Sequence, residues 1–291
     1  MKISKIDPFC LLGFDFFVKR DDLISEQING NKARKLAFYL KQNYPSNQRF
    51  ISFGGSQSNA LVALSAFTFQ RAYKLIFVCE KISSFLKQNP CANYAQALKN
   101  KAWILENLDF ESSKQMALNL CKKGDIFIPQ GFACKEAELG YKELANEILS
   151  QEKALGLKFD IFLPSGTGTS ALFLAKNLRN HQIYTCACVG DEEYLRTQIK
   201  ELDPQFDFSN LCILNLPKKF HFAKPYKELF EIYKEAKNAG LEFDLLYDSV
   251  GLLCVLAHQK GFKKPLLYIH QGGVAGNESM LQRYKFEKNL L

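Results

Sequence analysis

The chain has 291 residues, of which 47% are hydrophobic and 23% charged, a composition typical of a folded globular protein. This length exceeds the usual size of one hydrophobic core, so we expect one large or two closely packed domains. The formal net charge of +8 is spread along the chain without a nucleic-acid-binding signature, and we predict neither nucleic-acid nor membrane binding but an anionic cofactor or substrate.

The numbers and spacing of the cysteines and histidines indicate the redox compartment and whether a metal site is expected. The nine cysteines form no CxxC pair, which is typical of free thiols in a reducing compartment. The four histidines lie far apart, so we predict no metal site. Because charges interrupt the first residues and no apolar run is long enough to span a bilayer, we expect a cytoplasmic protein.

The first informative motif surrounds Lys32. Apolar spacing predicts a helix over residues 32–44, with Asn29 or Asn31 as its cap. A lysine in the first turn of a helix lies at the positive end of the helix dipole, which disfavours the ammonium form. A neutral amine is what a Schiff-base lysine requires, whereas a solvated surface lysine is the ordinary alternative.

Strand-length apolar runs alternate with helical segments along the chain. This alternation predicts an α/β fold with mainly parallel sheets covered by helices. The predicted strands are Phe50–Phe53, Leu75–Cys79, Ala102–Leu105, Ile126–Pro129, Ile161–Pro164, Ile183–Val189, Leu245–Tyr247 and Leu266–His270. The predicted helices include Asn59–Gln70, Glu136–Gln151, Ser170–Leu178 and Lys227–Ala239.

Three predicted strands are followed by glycine- or serine-rich turns, at residues 54–59, 165–170 and, in weaker form, 248–251. Each turn places backbone N–H groups at the start of a helix and at the carboxyl end of a parallel strand. Open α/β proteins hold anionic ligands at such positions.

The turn at 165–170 is the best candidate for a phosphate site. Gly166 and Gly168 allow close approach of the backbone, and Thr167 and Thr169 add hydroxyl donors. Gly166, Gly168 and Ala171 also match Gly-x-Gly-x-x-Ala, with Asp191 near the position of a ribose-binding carboxylate. An NAD-linked oxidoreductase is therefore an alternative, as is a tight turn with a capped helix.

The turn at 54–59 offers exposed amides together with the Ser58 hydroxyl and the Asn59 amide. These groups could bind a carboxylate. The commoner role of a serine at this position is to cap the following helix.

Six motifs occur in one order along residues 18–273, and together they resemble the 1-aminocyclopropane-1-carboxylate (ACC) deaminase / D-cysteine desulfhydrase family. The resemblance implies a pyridoxal-phosphate-dependent enzyme with the two-domain tryptophan-synthase-β-like fold, fold type II. The motifs are Lys19-Arg20-Asp21-Asp22, Gly30-Asn31-Lys32-x-Arg34-Lys35-Leu36, Gly54-Gly55-x-Gln57-Ser58-Asn59, Ile128-Pro129-x-Gly131, Leu139-Gly140-Tyr141 and Ile269-His270-x-Gly272-Gly273.

The resemblance also implies roles for individual residues. Lys32 would carry pyridoxal 5'-phosphate, and Ser58 and Asn59 would face the substrate carboxylate, with Asn59 also near the cofactor ring. Tyr247 would be an active-site tyrosine and Asp248 the partner of the pyridine nitrogen, with Ser249 as the competing candidate. The predicted site residues are thus Lys32, Ser58 and Tyr247 for catalysis, and Lys32, Asn59, Gly166, Thr167, Gly168, Thr169 and Asp248 for the cofactor.

The chain departs from the family pattern at several positions. Ala60-Leu61-Val62 follow the Ser58-Asn59 pair in place of polar and basic residues. A second family tyrosine aligns with His221, or with Tyr226 if a small gap is allowed. These departures favour β-elimination from a D-cysteine-like amino acid over opening of the ACC ring, and they leave a catalytically silent relative as a further alternative.

We therefore predict a larger domain formed by residues 1–35 and 133–291, and a smaller inserted α/β domain over 36–132. The cofactor would lie between them. The predicted reaction is a deamination that gives a 2-oxo acid and ammonia from a small amino acid, with ACC deamination as the alternative. A homo-oligomer is left open.

Overall fold

A computed structural model of the chain describes residues 2–287 and contains two sheets. The six-stranded sheet has the order β1-β2-β10-β7-β8-β9, and the four-stranded sheet has the order β5-β4-β3-β6. Within the described chain, the β1–β2 pair is antiparallel and the other pairs are parallel. The strands are β1 (Ile6–Leu11), β2 (Phe14–Lys19), β3 (Arg49–Phe53), β4 (Lys74–Glu80), β5 (Trp103–Asn107), β6 (Ile126–Ile128), β7 (Asp160–Phe162), β8 (Ile183–Thr185), β9 (Leu211–Ile213) and β10 (Leu266–Ile269).

Helices pack against both sheets, as the alternating pattern predicts. No described helix combines the length and the apolar character that a membrane crossing requires. The α-helices are α1 (Gly30–Leu40), α2 (Asn59–Gln70), α3 (Ser84–Gln88), α4 (Ala92–Lys99), α5 (Phe110–Leu120), α6 (Glu138–Leu155), α7 (Thr169–Asn177), α8 (Glu192–Leu202), α9 (Lys227–Asn238), α10 (Asp248–Ala257) and α11 (Asn277–Phe286).

The four-stranded sheet is built from one continuous stretch of chain, residues 49–128, whereas the other sheet combines residues 6–19 with residues 160–269. Phe50 lies in the core of the smaller sheet. Its ring centroid is 5.2 Å from that of Phe67 and 5.6 Å from that of Tyr73. Loss of such a buried ring typically costs about 3–5 kcal/mol. The domain boundaries near residues 35 and 132 stay predictions.

A buried ionic cluster fixes α1 against the larger sheet. Arg34 donates to both oxygens of Asp21 at 2.9 and 2.7 Å and to Glu147 of α6 at 2.7 and 2.9 Å. Lys19, at the end of β2, also donates to Glu147 at 2.9 Å. Removal of one member of a buried ion pair costs about 3–5 kcal/mol because it leaves an unpaired charge. These contacts give a structural reason for two of the sequence motifs, Lys19-Arg20-Asp21-Asp22 and Gly30-Asn31-Lys32-x-Arg34-Lys35-Leu36.

The strand expected over Leu245–Tyr247 was a wrong prediction, because these residues form a turn. The carboxylate of Asp244 accepts hydrogen bonds from the N–H groups of Leu246 and Tyr247 at 2.9 and 2.6 Å. A side chain that satisfies the local backbone in this way competes with strand pairing. The helix expected over 32–44 begins two residues earlier and ends at Leu40.

Candidate active site

A cavity of about 330 Å³ lies beyond the carboxyl ends of β3 and β7, between the two sheets. Its volume falls in the range of small-ligand pockets. Most of the predicted site residues lie on its wall, which comes from several loops and helix starts. These residues are Lys32, Ser58, Asn59, Gly166, Thr167, Gly168, Thr169 and Tyr247.

Lys32 lies in the first turn of α1 and lines this cavity. Its Nζ donates to Asn31 Oδ1 at 3.1 Å. Burial lowers the pKa of Lys32 to about 8, although the carboxylate of Asp244 opposes this shift. The neutral amine that nucleophilic attack on a carbonyl carbon requires is therefore far more abundant near neutral pH than for a solvated lysine.

The start of α1 is held by the loop that follows β10. Asn31 N–H donates to the carbonyl oxygen of Gln271 at 3.0 Å. Gly30 has a φ of +57°, and a Cβ at this position would lie 1.7 Å from the same oxygen. Only glycine fits this contact. The glycine of the Gly-Asn-Lys motif thus allows the loop to approach the residues that present Lys32.

The turn at 166–169 forms a cradle of donors on the wall of the same cavity. Within residues 2–287, the N–H groups of Gly166, Thr167 and Gly168 donate to no protein acceptor. The hydroxyl groups of Thr167 and Thr169 lie 2.9 Å apart. Gly168 has a φ of +71° directly before α7. Unpaired N–H groups at a helix start bind a phosphate group well.

Lys35 is a second lysine on the cavity wall, and it is not among the predicted site residues. Its Nζ donates to the carbonyl oxygen of Gly131 at 2.8 Å. Gly131 in turn lies beside the cradle, because a Cβ built on it would be 3.1 Å from the methyl carbon of Thr167. The hydrogen bond to Gly131 therefore directs Lys35 toward the cradle. Burial, and secondly the charge of Lys32, lower the pKa of Lys35 well below its ordinary value. Its spacing of three residues from Lys32 on a helix could have indicated a shared face.

The Gln57-Ser58-Asn59 turn both caps a helix and contributes to the cavity wall. Ser58 caps α2 by accepting the N–H of Leu61 at 3.2 Å, so the commoner role is present. Ser58 and Asn59 also line the cavity. Ala60 of the divergent Ala60-Leu61-Val62 segment lines the same cavity, while Leu61 is buried in the smaller core.

Tyr247 lies against the cradle. A Cβ on Gly166 would be 3.2 Å from Cε1 and 3.6 Å from the hydroxyl oxygen of Tyr247. Burial raises the pKa of the phenol, so Tyr247 stays a neutral proton donor. Asp244, which holds the Tyr247 backbone, has one buried oxygen, Oδ2, with no hydrogen-bond partner among the described residues. Burial raises the pKa of Asp244 to about 6.

Asp248 lies beneath Tyr247 at the start of α10 and is fully buried. Its carboxylate accepts the hydroxyl of Tyr268 at 2.9 Å and the N–H of Asp244 at 3.2 Å. Burial and the charge of Asp244 raise the pKa of Asp248 well above its ordinary value. The Asp248 side chain is not part of the described cavity wall. The Ser249 hydroxyl is buried and, among residues 2–287, has no partner.

Neither candidate for the second tyrosine position lines the cavity. His221 is exposed, and Tyr226 uses its hydroxyl to accept the N–H of His221 at 3.1 Å. Phe222 lies on the cavity wall instead, with its ring 5.3 Å from that of Tyr247. Asp191, the candidate for a ribose contact, caps α8 by accepting the N–H of Tyr194 at 2.9 Å.

Two archaeal relatives align with nearly the whole chain, and both are named, provisionally, as ACC deaminases. The Pyrococcus abyssi protein is 28% identical over 301 residues, which cover 93% of this chain and 89% of the relative. The Pyrococcus furiosus protein is 26% identical over 289 residues, which cover 91% and 87%. No family model matches the chain.

Solved structures agree with this similarity. An ACC deaminase homologue superposes with a TM-score of 0.77 at 22% identity, covering 97% of this chain and 94% of that one. A bacterial threonine deaminase gives a TM-score of 0.67 at 12% identity, with 94% and 92% covered. These superpositions confirm the predicted fold class.

Proposed function

We propose that this chain, which fits the ACC deaminase / D-cysteine desulfhydrase family as a divergent member, is a lyase that uses pyridoxal 5'-phosphate to release ammonia from a small amino acid. The observation that carries the proposal is the pairing of Lys32 with the 166–169 cradle. A lysine with a pKa of about 8 lines the same cavity as a group of unpaired N–H donors. This is the combination that a phosphorylated aldehyde cofactor requires.

The residues present fit the cofactor. Lys32 would carry it, and the N–H groups of Gly166, Thr167 and Gly168, with the Thr169 hydroxyl, would bind its phosphate. Lys35 would add a positive charge beside that phosphate. Asp248 lies outside the cavity wall and accepts from Tyr268 and from the N–H of Asp244, so its side chain would have to turn into the cavity to hold the pyridine nitrogen in its protonated form. When bound, pyridoxal 5'-phosphate supplies an electron sink for negative charge at the substrate α-carbon.

The substrate is bound and handled by this chain's own groups. Ser58 and the amides of its turn would hold the carboxylate, and Asn59 would contact both substrate and cofactor. Lys32, once released by the incoming amine, would take the α-proton, because its pKa of about 8 suits a general base near neutral pH. Tyr247, a neutral phenol beside the cradle, would donate a proton to the leaving group.

We propose β-elimination from a D-cysteine-like amino acid as the preferred reaction, which yields a 2-oxo acid, ammonia and sulfide. The support comes from Phe222, whose ring occupies the wall beside Tyr247 and carries no ionisable proton. Opening the ACC ring requires both a base or nucleophile and an acid near the ring. Loss of a thiolate requires less, since this group departs once the α-proton is gone.

ACC deamination is the second candidate, and the names of the archaeal relatives favour it. An NAD-linked oxidoreductase loses its main support, because Asp191 caps a helix and the fold is of type II. The alternative that the chain is catalytically silent is tested by measuring turnover. We keep a cytoplasmic location as a prediction, and a small amino acid as the partner.

Steady-state assays on D-cysteine, L-cysteine, D-serine and ACC test the proposal. We expect release of ammonia and sulfide from D-cysteine, and none by Lys32→Ala. Phe222→Tyr is the matched variant for the substrate choice, since it restores a hydroxyl beside Tyr247. Efficient turnover of ACC without turnover of D-cysteine would reverse the choice, and no turnover of any amino acid by cofactor-loaded protein would favour the silent relative.

A further inference from the structure

Asn93, in the first turn of α4, is a buried polar residue that makes its hydrogen bonds outside its own helix. It is 1% exposed. Its Nδ2 donates to the carbonyl oxygen of Gln57 at 3.0 Å and to Oδ1 of Asn59 at 2.8 Å. Both acceptors belong to the turn that carries Ser58. A residue needed only to cap α4 would have no reason to reach this turn.

The two contacts determine which way the Asn59 amide faces. A backbone carbonyl can only accept, so the group of Asn93 that contacts the Gln57 carbonyl is its NH₂ group. The atom of Asn59 within 2.8 Å of the same nitrogen is therefore an acceptor, its Oδ1. The Asn59 NH₂ group consequently points away from Asn93. Without Asn93, either orientation of the Asn59 amide would be open.

The NH₂ group of Asn59 is turned toward Gly273 and Asp244. Among the described residues, Asn59 Nδ2 donates to no protein acceptor. A Cβ on Gly273 would lie 2.5 Å from this nitrogen and 3.2 Å from Asp244 Oδ2, so glycine leaves space there. Asn59 and Lys32 line both the 330 Å³ cavity and a second one of about 760 Å³. The NH₂ group thus lies where cofactor or substrate oxygen can accept from it.

The first turn of α4 is itself fixed from two sides. The Gln57 side chain donates to the carbonyl oxygen of Cys91 at 3.2 Å and accepts the N–H of Tyr94 at 3.1 Å. On the other side, Ala92 N–H donates to Glu278 of α11 at 2.9 Å. The turn that carries Asn93 is therefore held in place by hydrogen bonds to the Ser58 turn and to α11.

We infer that Asn93 is a positioning residue for the proposed reaction, and that it orients the Asn59 amide so that its NH₂ group faces the cofactor and substrate. The inference rests on the proposed function, because Asn59 must contact a ligand for its orientation to matter. Asn93 lines the larger cavity but not the one with the cradle, and in this inference it acts through Asn59.

The test compares Asn93→Ala with Asn100→Ala in the apo protein titrated with pyridoxal 5'-phosphate. Asn100 is the matched control, since it is also buried at an end of α4 and donates to Ser65 at 3.1 Å, away from both cavities. We expect Asn93→Ala to raise the Kd of the cofactor about tenfold, the value of one lost hydrogen bond. Asn100→Ala should leave this Kd unchanged. It should lower the melting temperature about as much as Asn93→Ala does.

A double-mutant cycle separates positioning from stability. Because Asn93 acts through Asn59, Asn59→Ala/Asn93→Ala should bind the cofactor as weakly as Asn59→Ala alone. Additive losses, or the same Kd for Asn93→Ala and wild type, would overturn the inference. If Asn93→Ala does not fold, Asn93→Ser, which keeps one hydroxyl donor, should give a Kd between those of wild type and Asn59→Ala. Failure of the wild type to bind the cofactor would instead reject the proposed function, and this inference with it.

Discussion

Lys32 and Lys35 lie one helical turn apart on α1 and line the same cavity, yet they have different partners. Lys35 Nζ donates to the Gly131 carbonyl beside the cradle, whereas Lys32 Nζ donates to the neighbouring Asn31 side chain. Lys35 is thus directed to the end of the cavity that we propose binds the phosphate, and Lys32 is left for the proposed chemistry. This division of roles leads to separate predictions for the two.

We expect Lys35→Ala to weaken binding of pyridoxal 5'-phosphate about 10- to 100-fold, since a charged hydrogen bond contributes about 1.5–3 kcal/mol. Binding of pyridoxal, which lacks the phosphate, should change little. Absorbance titration of the apo protein measures both. Lys99→Ala is the control, because Lys99 lines the larger cavity and not the one with the cradle. Equal weakening of both ligands would contradict the assignment to the phosphate.

The pKa of Lys32 predicts a pH dependence of stability. Burial lowers it to about 8 in the folded protein, and unfolding returns it to about 10.4. Between these values the unfolded chain binds a proton that the folded chain does not, so the free energy of unfolding of the apo protein rises with pH. Below about pH 8 the cost of burying the ammonium is present in full.

Lys32→Met should remove about 2–3 kcal/mol of this rise, measured by urea unfolding of the apo protein at about pH 7 and about pH 10. Asp244→Asn should extend the rise to lower pH, because the Asp244 carboxylate favours the ammonium form of Lys32. A rise that Lys32→Met leaves unchanged would show that other groups, such as Lys35, account for it.

Asp248→Asn should lower turnover by about 100-fold or more, because the carboxylate that would keep the pyridine nitrogen protonated is lost. Ser249→Ala should keep nearly full turnover. Tyr268→Phe controls for stability, since it removes the 2.9 Å hydrogen bond to Asp248 and leaves the carboxylate. If Ser249→Ala abolishes turnover and Asp248→Asn does not, the serine is the partner of the ring nitrogen.

Gly30→Ala should destabilise the protein by at least about 2 kcal/mol, because the added Cβ meets the Gln271 carbonyl and the backbone is left-handed. Gly261→Ala is the matched control, since a Cβ there has no neighbour within 4 Å. Thermal unfolding of the two apo variants makes the comparison. Equal stability of both would mean that the contact between α1 and the β10 loop is loose.

Local signals predicted much of the fold. The helix Asn59–Gln70 has the predicted bounds because an apolar run follows a capping serine, Ser58. Parallel strands such as β3 and β4 were found close to their observed limits, since they are short apolar runs between helices. The strand expected over Leu245–Tyr247 fails because Asp244 binds the backbone there, an effect that apolar composition does not reveal.

The site was predictable where a motif is continuous in sequence and not where it depends on packing. Lys32, Ser58, Asn59 and the 166–169 turn line one cavity because each follows a strand or begins a helix. Asn93 lies 34 residues from Asn59, and only the docking of α4 on the Ser58 turn brings them together. No periodicity in the chain indicates such a contact.

The central claim is that Lys32 carries the cofactor, and one measurement tests it most directly. The wild-type protein is loaded with pyridoxal 5'-phosphate, reduced with borohydride, digested and mapped by mass spectrometry. We predict a single pyridoxyl label, on Lys32, and none in the folded Lys32→Ala variant. A label on Lys35, Lys19 or any other lysine, or wild-type protein that acquires no label, would contradict the account.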